Sequence, residues 1–403
     1  MLIFRALYYR NYRLFFFGQC VSLTGIWMQH VAVTWLVYRL THSAVLLGTV
    51  GFLGMIPSFF LTPFAGVLSD RWSRYRILLF TQVVSMAQAL ALATFVLAGF
   101  EQIWPILFLA LVLGCVGAVD MPVRHAFVSD MVERREDLAY VIAMNSAIFN
   151  FARLIGPPVA GFLIAWSGEG VCFLLNGLGY IAVIAALCSM RMAHNPLPRI
   201  THGIIRELWN GLVYAYHDKR IRAILLLMAL GGILGIPYVS IMPVYATEVL
   251  HGGPRTLGLL MSAMGAGALV GALYFAAKPP KRDLMKVIPL AIAGVGAGFI
   301  GLAACRSVTL ALGCMFLAGL SMAFHFAASN TEVQMVVEES KRGRVVSLLI
   351  FSIMGFLPFG NLLAGVLTDL LNIQLVFLAG GMGCMLGAAA FAIKMKRGNP
   401  SVH

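Results

Sequence analysis

Few residues in this chain are able to hold a proton or grip a polar ligand, and most of those lie inside long apolar runs. Arg153 is the deepest cation. Counting about 13 residues from Tyr140 at 1.5 Å each puts it roughly 20 Å into its run. Ser146, Asn150, Arg153 and Pro157 fall at i, i+4, i+7 and i+11, hence on one helical face. An arginine there either attracts anionic or carbonyl-rich groups of a substrate or locks its helix to a neighbour; both readings stay open. Gln19, Ser22, Gln29, His30 and Thr34 share a sector of roughly 140° on an earlier helix, with Trp27 beside it. Lipid would not tolerate that stripe, so it lines a cavity or packs against protein. Histidine ordinarily titrates near physiological pH, so His30 suits a proton carrier as well as a satisfied structural histidine. Ser321 and His325 share a face in a later run, with Glu332 near its end. His325 is read either as a polar cavity residue or as a packing residue. Asp120 and Arg124, four apart with the acid first, make a ready intrahelical pair. A structural or gating role is expected, with proton binding at Asp120 as the other reading.

Soluble chemistry finds little support. His125 and Asp130 spell HxxxxD, an acyl-transfer pattern, but no soluble domain accompanies them. Gly265-Ala266-Gly267 with Gly271 imitates a dinucleotide fingerprint with no strand before it. Small-residue helix packing explains these glycines, as it does Gly294 with Gly298. No metal-ligand cluster and no phosphate loop appear, so neither a metal nor a cofactor nor ATP hydrolysis is expected. The seven cysteines sit in or at the ends of apolar runs without a CxxC pair and read as packing residues.

The elements that must position these side chains follow from composition. Sixty percent of the 403 residues are hydrophobic and only 11% are charged, and mean hydropathy is +0.89. A soluble domain is typically about a quarter charged, and a water-soluble fold could not hide this much apolar surface. The bilayer must be the solvent, and each span needs about 20 apolar residues. Cutting the runs at charges and turn residues gives spans near 14–38, 45–68, 77–99, 103–123, 140–166, 171–190, 223–247, 256–277, 287–305, 308–330, 345–368 and 374–393. These lengths fit helices, the form that satisfies every backbone group within a single span. The apolar run after Arg13 is too long for a cleavable signal core.

The net charge of +13 does not point to nucleic acid, because the basic residues sit in short loops without interleaved aromatics. With the amino terminus taken as cytoplasmic, all the lysines and arginines except Arg39, Arg255, Arg306 and the intramembrane Arg153 fall on the cytoplasmic side. That bias fixes the orientation and checks the span count. The longest polar stretch, 191–222, separates six spans from six. The expected organisation is an amino-terminal six-helix bundle (1–190), a cytoplasmic central linker (191–222) and a carboxyl-terminal six-helix bundle (223–403). A weak internal repeat supports it: Val37–Gly48 pairs with Thr247–Gly258, and Ala160-Gly161-Phe162-Leu163 with Ala364-Gly365-Val366-Leu367. The fold class is therefore an all-α polytopic membrane protein, twelve transmembrane helices in two pseudo-symmetric bundles.

Gly66-Val67-Leu68-Ser69-Asp70-Arg71-Trp72-Ser73-Arg74-Tyr75-Arg76 resembles the loop motif G-x-L-x-D-R-x-G-R-[RK] of the major facilitator superfamily, with Ser73 in place of the second glycine and Tyr75 before the last arginine. Arg153-Leu154-Ile155-Gly156-Pro157-Pro158-Val159-Ala160-Gly161 is similar to the end of that superfamily's Gly-Pro antiporter motif. Arg10-Asn11-Tyr12-Arg13, Gly18-Gln19, Trp27-Met28-Gln29, Pro122-Val123-Arg124 and Asn145-Ser146 with Asn150 and Arg153 resemble the enterobactin-exporter-like and macrolide-efflux-like branch.

The resemblance implies a secondary exporter of amphipathic small molecules, drug- or siderophore-like, working by alternating access with proton antiport. It places the protein in the bacterial inner membrane as a multi-pass monomer with both termini cytoplasmic. Its partners would be a small-molecule substrate, the lipid bilayer and a proton, without nucleic acid. Candidate substrate-binding residues are Gln19, Gln29, His30, Asn150, Arg153 and His325. Candidate gating residues are Gly66, Asp70, Arg71, Arg74, Asp120, Arg124, Gly156 and Pro157. No acid lies at the centre of span one, which leaves an importer or lipid transporter of the same fold as the alternative. A non-transporting receptor or enzyme is disfavoured by the short loops and the lack of a catalytic cluster.

Overall fold

The computed structural model describes residues 6–100, 102–132, 134–190, 212–277 and 284–398, without the side chains of 63–71, 135, 340 and 396–398. Twelve helices are long and apolar enough to cross a membrane. They are α1 (Arg10–Thr41), α2 (Ala44–Arg71), α3 (Arg74–Leu97), α4 (Ile103–Asp130), α5 (Leu138–Ser167) and α6 (Glu169–Cys188). Then follow α7 (Lys219–Val249) and α8 (Pro254–Ala277). The last four are α9 (Leu284–Ala304), α10 (Val308–Val336), α11 (Arg342–Leu370) and α12 (Ile373–Gly398). Every span read from the sequence is present, and several are longer than expected. The fourth contains Pro122 and continues seven residues past the expected end. The lost N–H does not break it because neighbouring packing tolerates proline in membrane helices.

Two spans are irregular. Helix α7 contains π-helical turns at Gly231–Gly235 and Tyr245–Val249, with Pro237 and Pro243 between them. Helix α11 is interrupted at Gly355 and Phe356, just before Pro358. Helix ends are closed locally. The Asp218 carboxylate accepts from the N–H groups of Arg220 (2.8 Å) and Ile221 (3.0 Å) before α7. His42 ends α1 in the left-handed region at φ 48°, and its N–H reaches the Tyr38 carbonyl at 2.8 Å.

The chain divides into two compact units. One comprises Met1–His42, Leu53–Thr201 and Gly253–Ser262; the other comprises Ser43–Phe52, His202–Gly252 and Ala263–His403. In the first, α1 and α3 pack against α6, and α1 against α5. Tyr12, Phe15, Ile77, Leu78, Phe127 and Val141 form its core at the end carrying the basic loops. In the second, α9 packs against α10 and α12, around stacked Tyr238, Phe299, Phe377 and Tyr245 rings with centroids 4.9–5.6 Å apart. Large apolar side chains such as Phe80, Trp104, Trp166, Leu290 and Leu386 point outward, as lipid requires.

The sequence repeat has a structural counterpart at the end away from the basic loops. Within the first unit a Cβ on Gly161 would lie 2.5 Å from the Pro254 carbonyl, and one on Gly258 would lie 2.5 Å from that of Pro157. Within the second unit Gly365 and Gly48 meet in the same way, Gly365 lying against the Ala44 carbonyl. No side chain fits at these backbone crossings. Only the second crossing carries an acid. The Asp369 carboxylate accepts from the N–H groups of Ala44 (2.8 Å) and Val45 (3.1 Å) and from the Ser43 hydroxyl (3.1 Å). At the first, Arg255 stacks over the Phe162 ring at 5.2 Å.

Candidate functional site

Each polar residue in an apolar helix raises the question of what satisfies it, because lipid offers no hydrogen bonds. In the first unit the answer is other side chains. The Asp120 carboxylate on α4 accepts from the Thr81 hydroxyl and the Gln82 amide of α3, both at 2.7 Å. Its second oxygen pairs with Arg124 one turn on, and Arg124 donates in turn to Gln19 on α1 at 2.6 Å. The acid-first spacing has produced its intrahelical pair, enlarged by groups on two further helices. Near the basic end, Arg74 at the start of α3 grips both oxygens of Asp130 at the end of α4, at 2.8 and 2.9 Å. That contact occupies Asp130, the acid of the HxxxxD pattern. The nearby cavity of about 110 Å³, lined by His125, Ser129, Asn145 and Ser146 among others, leaves room for a few waters.

Deeper in the bundle, Gln29 on α1 donates to the Gln88 carbonyl oxygen on α3 at 2.9 Å and accepts from Asn176 on α6 at 2.6 Å. Gln88 reaches on to the Leu109 carbonyl of α4 at 3.3 Å. Both Gln19 and Gln29 are buried, and both are engaged with protein.

A second cluster sits where α1 meets α5. The Arg153 guanidinium lies 5.7 Å from the centroid of the Trp27 ring. That ring packs edge-on against Phe149 at 5.8 Å and His30 at 6.2 Å. Arg153, Trp27 and His30 are half-buried. The approach depends on Gly156, since a Cβ there would lie 2.6 Å from that of Trp27. Asn150, also half-buried, donates to its own helix at the Ser146 carbonyl (2.8 Å). The structure thus brings His30, Arg153 and Gly156 together around Trp27. It places Pro157 one residue further on, with its carbonyl against Gly258. Gly66, Asp70 and Arg71 occupy the last turns of α2, and their side chains lie outside the described residues.

In the second unit His325 on α10 is completely buried. Among the described residues neither ring nitrogen has a hydrogen-bond partner, and the same holds for the buried Ser329 hydroxyl one turn away. Ser240 on α7 donates to Asn361 on α11 at 3.1 Å.

Sequence reasoning missed Thr81, Gln82, Gln88, Asn176, Ser240, Asn361, Glu169 and Asp369. Glu169 holds Arg39 at 2.8 Å. The available signal was an amide or hydroxyl in an otherwise apolar run, such as Gln82, Ser85 and Gln88 at three-residue steps, all of which are buried. Among the described residues no group of three or more histidine, cysteine, aspartate or glutamate side chains is placed to hold a metal ion.

The pattern of the transmembrane secretion effectors of the major facilitator superfamily matches residues 4–400. The chain belongs to that family. Among similar proteins, the staphyloferrin A transporter of Staphylococcus aureus is 24% identical over 367 residues, covering 90% of this chain and 91% of the relative. The macrolide efflux protein A of Streptococcus pyogenes is 23% identical over 383 residues, covering 93% and 94%. The multidrug efflux pump Tap of Mycobacterium tuberculosis is 25% identical over 380 residues, covering 91% and 89%. The fold matches a bacterial homologue of the human lysosomal transporter Spinster, with TM-score 0.74, 12% identity and coverage of 98% and 99%. A POT family transporter bound to a thioalcohol-conjugated peptide gives TM-score 0.76 at 13% identity, covering 96% of each chain. This major facilitator is a multi-pass transporter of the efflux type, and its relatives are transporters rather than enzymes.

Proposed function

We propose that the protein exports amphipathic small molecules from the bacterial cytoplasm across the inner membrane by alternating access, in exchange for protons. The observation that carries this is the guanidinium–aromatic cluster of half-buried Arg153, Trp27 and His30 with the exposed Phe149, in a chain of the efflux family. A cation beside an indole face suits a ligand that combines rings with carbonyl or carboxylate oxygens. That description fits macrolides and siderophores, the classes named for the relatives.

The two six-helix bundles, 1–190 and 223–403, would move in alternating access, with the 191–222 linker and both termini in the cytoplasm. The Asp70 loop with Arg71 and Arg74 would stabilise the state closed on that side. The Asp120–Arg124 pair would hold α3 and α4 together as a unit, and Gly156 and Pro157 would keep α5 close to α1. Asn150 would add an amide to the same α5 face. His30 would contribute a polar edge beside the indole.

Inverted membrane vesicles energised with a proton gradient test the reading, with erythromycin and staphyloferrin A as probes. Export predicts gradient-dependent uptake into inverted vesicles that Arg153→Ala reduces at least about tenfold, the scale of a lost cation contact in a low-dielectric site, without altering thermal unfolding. Uptake only into right-side-out vesicles would establish import instead. Equal uptake by parent and Arg153→Ala would remove the cluster from the site.

A further inference from the structure

We propose that His325 is a proton-binding site, and that Ser329 and Glu332 below it form the route by which its proton leaves toward the basic end of α10. This deepens the proton-exchange reading above and rests on it for its purpose, although not for its test.

The ring is 0% exposed, so a substrate does not reach it in this arrangement of the helices, whereas a proton needs no opening larger than a hydrogen-bonded relay. A histidine buried for packing alone would ordinarily have its nitrogens satisfied. Here both lack a completed hydrogen bond. What faces the ring is the backbone carbonyl of Leu227 on α7 and that of Ile288 on α9. Among the described residues two backbone acceptors face the two nitrogens. A neutral imidazole has one N–H and one bare lone pair, so it satisfies one carbonyl and turns its lone pair toward the other. An imidazolium has two N–H groups and suits both. The cradle matches the protonated ring by its hydrogen-bonding pattern.

Among the described residues no charged side chain acts on the ring. On α7 the charges are Lys219, Arg220 and Arg222 in the first turn and Glu248 near the other end; Arg222 is turned onto the Tyr216 ring at 5.1 Å. On α9 Lys286 is exposed, whereas Ile288 is buried. On α8 and α11 the ionisable groups, Arg255, Arg342, Arg344 and Asp369, lie in the terminal turns. On α10 itself Glu332 is the one acid, buried seven residues from His325, about 10 Å along the helix. The Ser329 hydroxyl, buried and unpartnered, lies between them on the same face. The room for ring movement is also visible: a Cβ on Gly231, where the π-turn of α7 begins, would still lie 3.9 Å from the ring.

The test is a histidine-labelled NMR titration of the full-length protein in lipid nanodiscs, from about pH 5 to 8, the range in which imidazole ordinarily changes charge. The chain has nine histidines, and His325→Gln identifies the signal by its loss. Should that variant fail to fold, Gly231→Ala identifies it by a shift, since its methyl would make only an ordinary contact with the ring. The expected result is reversible conversion of the His325 ring to imidazolium within that range. A ring that stays neutral throughout overturns the proposal. In inverted vesicles His325→Gln is expected to keep erythromycin exchange without a gradient and to lose gradient-driven accumulation to the level of empty vesicles. Unchanged gradient-driven accumulation by a folded His325→Gln overturns it equally. If the parent itself moves neither erythromycin nor staphyloferrin A, the export reading fails, and the titration still decides whether the proton site exists.

Discussion

The buried polar clusters singled out in the two units differ in how far they are hydrogen-bonded. In the first, Asp120, Arg124, Gln19, Thr81 and Gln82 hold one another, and Gln29, Gln88 and Asn176 do the same deeper in the bundle. In the second, His325 and Ser329 are as deeply buried and have no completed hydrogen bond. Among the described residues the first unit also leaves the Ser22 hydroxyl and single atoms of Gln82, Arg124 and Asn176 without a partner, but the last three side chains are held through their other atoms, and such networks fix one packing arrangement. The difference suggests a division of labour: a bundle whose interior is tied, and one whose interior can change charge.

The sharpest way to break the comparison is to open the tied network. Asp120→Ala leaves the Arg124 guanidinium buried without its counter-charge, and removing one partner of a buried pair costs about 3–5 kcal/mol. The expected outcome is a large fall in the thermal unfolding midpoint and in export, with partial recovery in Asp120→Ala/Arg124→Leu. Equal stability of Asp120→Ala and parent would show that the network bears no load. The amide triad comes next. Interhelical hydrogen bonds in membranes average about 0.6 kcal/mol, so Gln29→Leu, which removes two of them, is expected to cost about 1–2 kcal/mol in denaturant unfolding. The Gln29→Leu/Asn176→Leu pair is expected to cost less than the sum of its single changes, because one orphan is removed. The smallest effect is assigned to the open column. Ser329→Ala deletes a hydroxyl without a partner and should leave unfolding unchanged within about 0.5 kcal/mol or raise stability, while slowing gradient-driven export. A loss as large as that of Gln29→Leu would mean that Ser329 is tied after all.

Much of the architecture was legible because it follows from one solvent argument. Apolar runs of helix length, cut by short basic loops, give twelve spans with few alternatives, and the repeat around Gly161 and Gly365 marks true backbone crossings. Helix faces were legible too: Gln19 and Gln29 share a sector, and both turn inward. Partners were not. Periodicity places Gln29 on a face of α1 but does not say that Gln88 and Asn176 oppose it, because that depends on the order and rotation of α3 and α6. The π-turns of α7 and the break in α11 escaped for a related reason. Nothing in the sequence sets Gly231, Gly232 and Gly235 apart from other glycines of the spans, and only the close approach of the Ile353 carbonyl to Gly232, 2.5 Å from where a Cβ would stand, shows what that position accommodates. The Trp27–Arg153 contact was half legible, since each residue was singled out alone but nothing in the spacing joined helix one to helix five.

Asp369 has a consequence for how the molecule would respond to its surroundings. Its carboxylate is exposed to water and dissolved cations where it bonds the first turn of α2. Dissolved ions screen exposed charges over roughly 8–10 Å, so salinity on that face acts on the crossing of α2 with α11. The matching crossing of α5 with α8 rests on backbone proximity and a stacked ring, both far less sensitive to salt. A duplicated scaffold has thereby acquired one seam that senses the medium and one that is largely indifferent to it.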